Sequence, residues 1–304
     1  MEKAVGNCIP VIDVEEFANP SELEKLMEAC RDWGCFRIVN HGLPPALMWE
    51  MKTVARALLD QPEEIKQRNV QPVIQGYTPT QHGGPLFEAL GCYDMGSPSN
   101  IDAFCSILDA SPLQRETIGK YCEAIREVAL QIGRKMAEGM GVAGDQSFEE
   151  WALELRINKY NNTAEHVGTT GLNVHTDPGF LTILQDDENV GGLEMLYKLT
   201  GEFVTVPPMA GSLVVNLGDL ATLWSNGRLW SVKHRVQCYE ASTRVSLGCF
   251  MMGSKDREVA PPPELVDSDH PAVFTPINFV DFRKLRKENR LFSDGFDLLR
   301  VSSA

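Results

Sequence analysis

The sequence predicts an α+β protein with a mainly β core, flanked by helices from the N-terminal half. Apolar residues recur at helical spacing before residue 150 and alternate with a period of two after it. Turn-forming residues separate the later strand candidates at short intervals, which is typical of an antiparallel sandwich or barrel. We therefore expect a mainly helical region over residues 1–150, packed on a β core over residues 151–304, in one compact unit.

The first half begins with a short edge strand predicted over residues 9–13. Ser21 and Glu24 have the spacing of a capping box and predict the start of a helix. Ser111 followed by Pro112 predicts the start of a longer helix, because proline fits the first helical position. Residues 70–110 are rich in Gly, Pro and Ser, so we expect an irregular segment able to form a lid.

The second half carries the strand candidates. They cover residues 155–160, 180–184, 192–195, 202–206, 213–216, 235–239 and 244–252. One late helix is predicted near residues 279–288. The acidic run at residues 186–188 is expected to be a solvated turn between two of these strands.

Charge and composition exclude several classes of function. Lys and Arg number 28 against 42 Asp and Glu, a formal net charge of −14, so a general nucleic-acid or anionic-membrane binder is disfavoured. No run of roughly 18 apolar residues predicts a membrane span. Eight scattered cysteines without a C-x-x-C pair, and an N-terminus without a signal pattern, predict reduced thiols in a cytoplasmic protein.

One motif looks functional but has a structural explanation. Residues 139–144 spell GMGVAG, which matches the G-x-G-x-x-G of dinucleotide-binding sites. Such a site needs a strand before the glycines and a helix after them. Here the glycines end a long predicted helix, so we interpret them as a helix stop.

The segment His175-Thr176-Asp177 is a candidate metal site. In an extended chain, residues i and i+2 point to the same face, so His175 and Asp177 can reach one ion. His234 stands beside a separate strand candidate and can supply a second imidazole. Two imidazoles and one carboxylate leave coordination positions open, which suits non-haem Fe(II). Spacing alone leaves open the alternative of unrelated polar residues on two strands.

Arg244 and Ser246 share one face of the last strand by the same period of two. A guanidinium can hold a carboxylate with two parallel hydrogen bonds, and a neighbouring hydroxyl adds a third. A strand arginine can also simply face solvent. With a metal site predicted just upstream, we favour a buried site for an anion.

These motifs together resemble those of the plant 2-oxoglutarate- and Fe(II)-dependent dioxygenases, over nearly the whole length. The segments that carry the resemblance are IPVIDVEEF, WGCFRIVNHGLP, NVHTDPGFLTILQDDENVGGLEM, VVNLGDLATLWSNGRLWSVKHRV and RVSLGCF. The resemblance implies a double-stranded β-helix, or jelly roll, flanked by helices. It also implies Fe(II) as cofactor, 2-oxoglutarate as cosubstrate and ascorbate as reductant.

The resemblance carries over to individual residues of this chain. His175, Asp177 and His234 match the family's iron ligands. Residues matching the cosubstrate site are Arg244 and Ser246 for the distal carboxylate of 2-oxoglutarate, Tyr160 for a further hydrogen bond, and Asn158 as a polar neighbour of the iron. The family often has a proline where this chain has Asn161.

Within the family, FEALGCYDM and LRINKYNN resemble the auxin-oxidising branch. That branch converts indole-3-acetic acid to 2-oxindole-3-acetic acid and releases succinate and CO2, which inactivates the hormone. The expected partners are therefore an indole acid and O2, with no nucleic acid and no membrane. Two alternatives stay open: the same chemistry on another plant metabolite such as a flavonoid or gibberellin, and a non-catalytic small-molecule-binding module on the same fold.

An indole acid needs a flat apolar slot and a partner for its carboxylate. Arg156 shares a predicted strand face with Asn158, so it either binds that carboxylate or forms an internal salt bridge. Phe250 continues the face of Arg244 and either stacks on the substrate or packs in the core. The remaining candidates are Met252 on the same face, and Phe87 and Tyr93 in the irregular segment.

Overall fold

The computed structural model describes residues 8–71, 73–80, 86–143 and 148–301. Its helices are α1 (Pro20–Glu28), α2 (Pro45–Leu59), α3 (Glu63–Lys66), α4 (Pro98–Ile107), α5 (Pro112–Gly139), α6 (Asp219–Trp224) and α7 (Phe279–Glu288). Its strands are β1 (Val11–Asp13), β2 (Cys35–Val39), β3 (Phe87–Cys92), β4 (Trp151–Asn161), β5 (Thr170–His175), β6 (Leu181–Gln185), β7 (Leu193–Leu196), β8 (Phe203–Thr205), β9 (Leu213–Leu217), β10 (His234–Gln237) and β11 (Thr243–Ser254).

Over these ranges the strands form two sheets. The larger has the order β1-β2-β9-β6-β11-β4-β3, and the smaller has the order β5-β10-β7-β8. Only β1 and β2 pair in parallel among these strands. Side chains from both sheets line one cavity between them. This arrangement is a jelly roll, and it confirms the prediction of a mainly β core with flanking helices.

The helices of the first half cover the outer face of the larger sheet. Helices α2 and α5 pack on each other and on β11. The apolar stripe of α5 is fully buried there, as Ile118, Ile125 and Ile132 show. The same half also contributes β1, β2 and β3 to the larger sheet, so the two halves of the chain share one core.

The N-terminal caps of α5 and α1 can be compared with their predictions. The hydroxyl of Ser111 accepts from the backbone N of Gln114 at 3.3 Å, and the side-chain Oε1 of Gln114 accepts from the backbone N of Ser111 at 2.8 Å. These two bonds form the full capping box. At α1 the cap is Asn19 instead of Ser21, because Pro20 takes the first helical position and Asn19 Oδ1 accepts from Ser21 N at 3.1 Å. The prediction of Ser21 as the cap was wrong by two residues.

The expectation of an irregular segment over residues 70–110 was wrong for much of it, since β3 and α4 lie there; residues 72 and 81–85 fall outside the described part. Strand β3 is buried on both faces, so its sequence shows no alternation. Glu88 is buried in it because it pairs with Lys66. Helix α4 begins at Ser97 and Pro98, the signal also used by α5.

Two further predictions concern the helices. Helix α5 ends at Gly139, and Gly141 adopts a φ of +72°, so the glycine-rich run is a helix stop as far as the structure describes it. Helix α7 occupies the predicted residues 279–288. Among the described residues, no helix is both long and apolar enough to cross a bilayer.

Candidate active site

The cavity has a volume of about 270 Å³ and one of its walls is built by β4 and β11. Antiparallel register places Arg244 beside Tyr160 and Ser246 beside Asn158. Alternate residues of both strands therefore face the cavity in successive layers. The cavity is lined by the pairs Tyr160 with Arg244, Asn158 with Ser246, and Glu154 with Phe250, and by Arg156, whose register partner is Gly248.

Three side chains that could together hold a metal ion meet on the opposite wall. His234 at the start of β10 pairs with His175 at the end of β5, and their ring centroids are 4.2 Å apart. Asp177 follows β5, and its Oδ1 lies 3.7 Å from His175 Nε2 and 3.8 Å from His234 Nε2. One ligand atom from each residue lies within 4.8 Å of the others.

Hydrogen bonds fix which ring nitrogens of the two histidines are available to a metal ion. His175 Nδ1 donates to the carbonyl of Asn173 at 2.8 Å, and His234 Nδ1 donates to that of Val232 at 3.2 Å. Each Nε2 therefore offers its lone pair, as in metal sites where the other ring nitrogen is held by a carbonyl. The sequence-predicted ligands His175, Asp177 and His234 are thus brought together in a binding-competent form.

The carboxylate of Asp177 is held on one oxygen only. Its Oδ2 accepts from Thr182 Oγ1 at 2.5 Å and from Asn216 Nδ2 at 2.8 Å, which leaves Oδ1 for a metal. Burial raises the pKa of Asp177, but the two nearby imidazoles and these hydrogen bonds outweigh it and lower the pKa below its usual value. The side chain is therefore ionised, the form that a metal ion would bind.

Burial, reinforced by the neighbouring His234, lowers the pKa of His175 to about 4. The imidazole is consequently neutral at physiological pH, as metal binding requires. Two imidazoles and one monodentate carboxylate on one side of an ion fit Fe(II), because this ligand set leaves positions open for other molecules. The donor set thus fits the cofactor that the sequence predicts.

At one end of the cavity lies Arg244, which is only 1% exposed. It donates to Asp186, and its Nη1 lies 3.5 Å from Ser246 Oγ. Its Nε has no hydrogen-bond partner in the described part of the protein. A buried guanidinium with a spare donor, over the ring of Tyr160 at 5.0 Å, is suited to an anionic ligand.

In the acidic run beside Arg244, the side chains of Asp186 and Asp187 are buried, so the prediction of a solvated turn was wrong for these two residues, while Glu188 stays partly exposed. Asp187 is 1% exposed, and its Oδ2 accepts from the backbone N of Val245 at 3.0 Å and lies 3.5 Å from Lys52 Nζ. Asp186 is the partner of Arg244. The run is acidic because it meets cations from β11 and α2 that are distant in sequence.

At the other end, Arg156 lines the cavity as predicted from its strand face. Its guanidinium donates to Gln75 O at 2.8 Å and to Thr78 Oγ1 at 2.5 Å, and lies 3.6 Å from Glu154. Arg156 therefore makes the internal salt bridge and also faces the cavity.

The other substrate-pocket candidates divide into three groups. Phe250 and Met252 line the cavity near Arg156. Phe87 also lines it, but it packs on Tyr160 with ring centroids 5.2 Å apart, at the Arg244 end. Tyr93 follows β3, packs against the core and is not among the residues that line the cavity, so its role in the pocket stays a prediction.

Arg283 in α7 also lines the cavity and was missed by the sequence analysis. Its Nη1 lies 3.7 Å from Glu154, which stands between Arg283 and Arg156. Burial raises the pKa of Glu154, and the two guanidinium groups only partly offset this effect. The periodicity predicted α7 itself, but no local signal shows which distant strand a C-terminal helix covers.

Comparison with known proteins agrees with this geometry. Residues 152–253 match the 2OG-Fe(II) oxygenase superfamily, and residues 9–96 match the family described as "non-haem dioxygenase in morphine synthesis N-terminal". The chain belongs to the 2-oxoglutarate- and Fe(II)-dependent oxygenases. As a dioxygenase of this superfamily it uses Fe(II) and 2-oxoglutarate, which confirms the cofactors predicted from its motifs.

Proteins similar to this oxygenase include two solved structures whose names refer to auxin oxidation. The oxygenase is 46% identical to the 2-oxoglutarate-dependent dioxygenase DAO of Oryza sativa subsp. indica, over 91% of this chain and 94% of the relative. The crystal structure of the rice dioxygenase for auxin oxidation superposes with a TM-score of 0.89 and 44% identity, covering 96% of this chain and 100% of that one.

A third similar protein is dioxygenase for auxin oxidation 1 from Arabidopsis thaliana, solved as its complex with 2-oxoglutarate. The two chains are 48% identical and superpose with a TM-score of 0.83, over 86% of this chain and 99% of the Arabidopsis chain. These likenesses confirm the jelly-roll fold of the oxygenase along most of its length.

Proposed function

We propose that this oxygenase oxidises indole-3-acetic acid to 2-oxindole-3-acetic acid, with succinate and CO2 as co-products, and so inactivates auxin. The observation that carries the proposal is the similarity, over 91% of the chain, to the rice dioxygenase DAO. The solved rice structure of that name is described as a dioxygenase for auxin oxidation. The chemistry of the cavity supports it, since one end carries two arginines beside aromatic and apolar side chains.

We assign His175, Asp177 and His234 as the iron ligands, on the convergence of their free ligand atoms. The distal carboxylate of 2-oxoglutarate would bind Arg244 and Ser246. Tyr160 and Asn158 complete this end of the cavity, where they face Arg244 and Ser246 across the β4–β11 register. When bound, iron and 2-oxoglutarate supply the oxidising chemistry, because decarboxylation of the cosubstrate drives activation of O2.

The indole acid would occupy the rest of the cavity. Its carboxylate would bind between Arg156 and Arg283, and its ring would lie against Phe250 and Met252. Both arginines already contact Glu154, so their guanidinium groups are held in place before the substrate arrives. A fixed cationic end would orient carbon 2 of the indole ring toward the metal side, and the apolar walls would exclude water.

Two further parts of the proposal concern the surroundings of the enzyme. We place the protein in the cytoplasm, which is supported by its eight free cysteines, seven of them buried. Ascorbate would act as the reductant that keeps iron in the Fe(II) state. The partners are the indole acid and O2, and the net charge of −14 argues against nucleic acid.

The test is turnover of the purified protein loaded anaerobically with Fe(II). O2, 2-oxoglutarate and ascorbate are then added with and without indole-3-acetic acid, and succinate and the mass of the indole product are measured. The aspartate conjugate of the acid, a flavonoid and a gibberellin serve as comparison substrates. Asp177→Ala is the control, since it lacks the carboxylate ligand.

The proposal expects succinate that is stimulated by indole-3-acetic acid, with a product one oxygen heavier, and neither from the control. Stimulation by another of the tested compounds alone would keep the oxygenase and replace the substrate. Iron-dependent binding of the acid without succinate would favour a non-catalytic binding module.

A further inference from the structure

We propose that Gly248 determines the width of the substrate end of the cavity, because its missing side chain gives the ring of Phe250 room to lie along β11. This inference rests on the proposed function, since it concerns how that same cavity selects an aromatic acid. It adds a specificity-determining residue that makes no contact of its own with the substrate carboxylate or the metal.

The position of Gly248 in the sheet shows where a side chain would point. Gly248 lies between Arg156 on β4 and Leu184 on β6, in one row across three paired strands. Opposed residues in such a row share a face of the sheet, and both neighbours line the cavity. Any side chain at position 248 would therefore project into the cavity.

The ring of Phe250 already occupies that space. A Cβ built on Gly248 would lie 2.6 Å from Cε2 and 3.1 Å from Cζ of Phe250, closer than carbon atoms approach without overlap. Phe250 is two residues further along the same face, so its ring leans back over the glycine. The ring thus lies along the strand instead of standing across the cavity.

This placement leaves a slot of defined width. Ser246, on one side of the glycine, belongs to the predicted cosubstrate end, while Glu154, opposite Phe250, holds the two arginines of the other end. The ring of Phe250 covers the floor between these ends. An indole ring bridging them would lie on this floor, where two aromatic rings can stack.

The first variant is Gly248→Ala. Its Cβ meets the far end of a side chain and not backbone, so the ring turns away and the protein still folds. We expect the KM for indole-3-acetic acid to rise by about tenfold or more, since a methylene group in a hydrophobic pocket changes selectivity by roughly 10- to 200-fold. The KM for 2-oxoglutarate should stay within a factor of about two, because Arg244 and Ser246 are untouched.

The second variant identifies the cause. In a Phe250→Ala background the ring is absent, so adding Gly248→Ala should cost no further activity. Gly119→Ala is the matched control, because a Cβ at that glycine meets nothing within 4 Å. Additive effects of the two substitutions, or an unchanged KM in Gly248→Ala, would overturn the proposal.

A structural readout separates this inference from the choice of substrate. Crystal structures of the wild type and of Gly248→Ala show directly whether the Phe250 ring leaves β11. If the wild type rejects indole-3-acetic acid but the ring moves, the proposed function fails and the role of Gly248 stands. If the ring stays in place over an alanine, the role of Gly248 is refuted whatever the substrate.

Discussion

Arg286 in α7 forms a buried ion pair with Asp219, which lies 67 residues earlier at the start of α6. The same guanidinium donates to the carbonyl of Thr176 at 2.9 Å, and Asp219 N donates to the carbonyl of Asp177 at 2.8 Å. Arg286 therefore joins the helix that carries Arg283 to the loop between two of the predicted metal ligands. The Arg286–Asp219 pair therefore links the position of Arg283, at the substrate end of the cavity, to the position of the predicted metal ligands.

Replacing Arg286 with methionine should loosen both ends at once. A buried carboxylate left without its partner costs about 3–5 kcal/mol of stability. We expect the free energy of unfolding, measured by denaturant titration, to fall by this amount. Fe(II) binding should weaken and the KM for the indole acid should rise. The KM for 2-oxoglutarate should change little, because Arg244 lies on another element.

The control for Arg286→Met is the double variant with Asp219→Asn. It removes the unpaired charge, so it should be less destabilised than the single variant. An unchanged Fe(II) affinity in a folded Arg286→Met protein would contradict the proposed link between helix and metal loop.

Asn216→Leu tests how Asp177 is oriented. Asn216 Nδ2 holds Asp177 Oδ2 at 2.8 Å, and its loss frees the carboxylate to turn. Removing such a hydrogen bond to a ligand typically costs 10–100-fold in metal affinity or activity. We expect a fall of about this size in Fe(II) affinity, measured by titration of the metal-free protein with the metal.

Thr182→Val is the matched variant, since Thr182 holds the same oxygen at 2.5 Å. It should have a similar effect on Fe(II) affinity while keeping the size of the side chain. Wild-type affinity in both variants would show that Asp177 needs neither hydrogen bond.

Local patterns predicted the residues of the site that lie on one strand or in one loop. A period of two was enough to group Arg156, Asn158 and Tyr160, and to group Arg244 with Ser246, because each set shares one face of a strand. Spacing made His234 a candidate partner of His175 but left open the alternative of unrelated residues, since two separate strands, β5 and β10, bring them together; the family resemblance then favoured the metal site. A pattern in one sequence shows which residues share a face of a strand, but it does not show which distant strands pair.

Two of the errors at the site have the same cause. Asp186 and Asp187 look like surface residues in sequence, and each is buried because a cation from a distant element reaches it. Arg283 was missed because the docking of α7 over β4 depends on tertiary packing. Buried ion pairs between residues far apart in sequence therefore cannot be predicted from local sequence patterns in this chain.

Arg244→Lys should raise the KM for 2-oxoglutarate. Lysine keeps a positive charge for Asp186 but loses the planar fork that holds a carboxylate with two bonds. A charge-assisted hydrogen bond is worth roughly 1.5–3 kcal/mol, so we expect an increase of about 10- to 150-fold in steady-state kinetics. Ser246→Ala should show a smaller increase, and a change confined to the indole acid would reverse the assignment of the two ends.

Glu154 should make substrate binding depend on pH. Burial raises the pKa of Glu154, with Asp177 adding to the rise, and Arg156 and Arg283 oppose it without cancelling it. Because the raised pKa belongs to the folded state, ionising Glu154 costs stability as pH rises from the ordinary carboxyl pKa through the raised one. Above that range its negative charge also repels a substrate carboxylate bound to the same arginines.

Glu154→Gln removes this charge and keeps a side-chain oxygen for the two arginines. We expect the KM for indole-3-acetic acid at pH 7 to fall by several-fold, because the two guanidinium groups then face only the substrate carboxylate. In the wild type the KM should decrease as pH falls toward the pKa of Glu154, as long as the substrate stays ionised. The variant should lose this slope, and its stability relative to the wild type should increase as pH rises over the same range. A higher KM with an unchanged slope would mean that Glu154 acts only by holding the arginines in place.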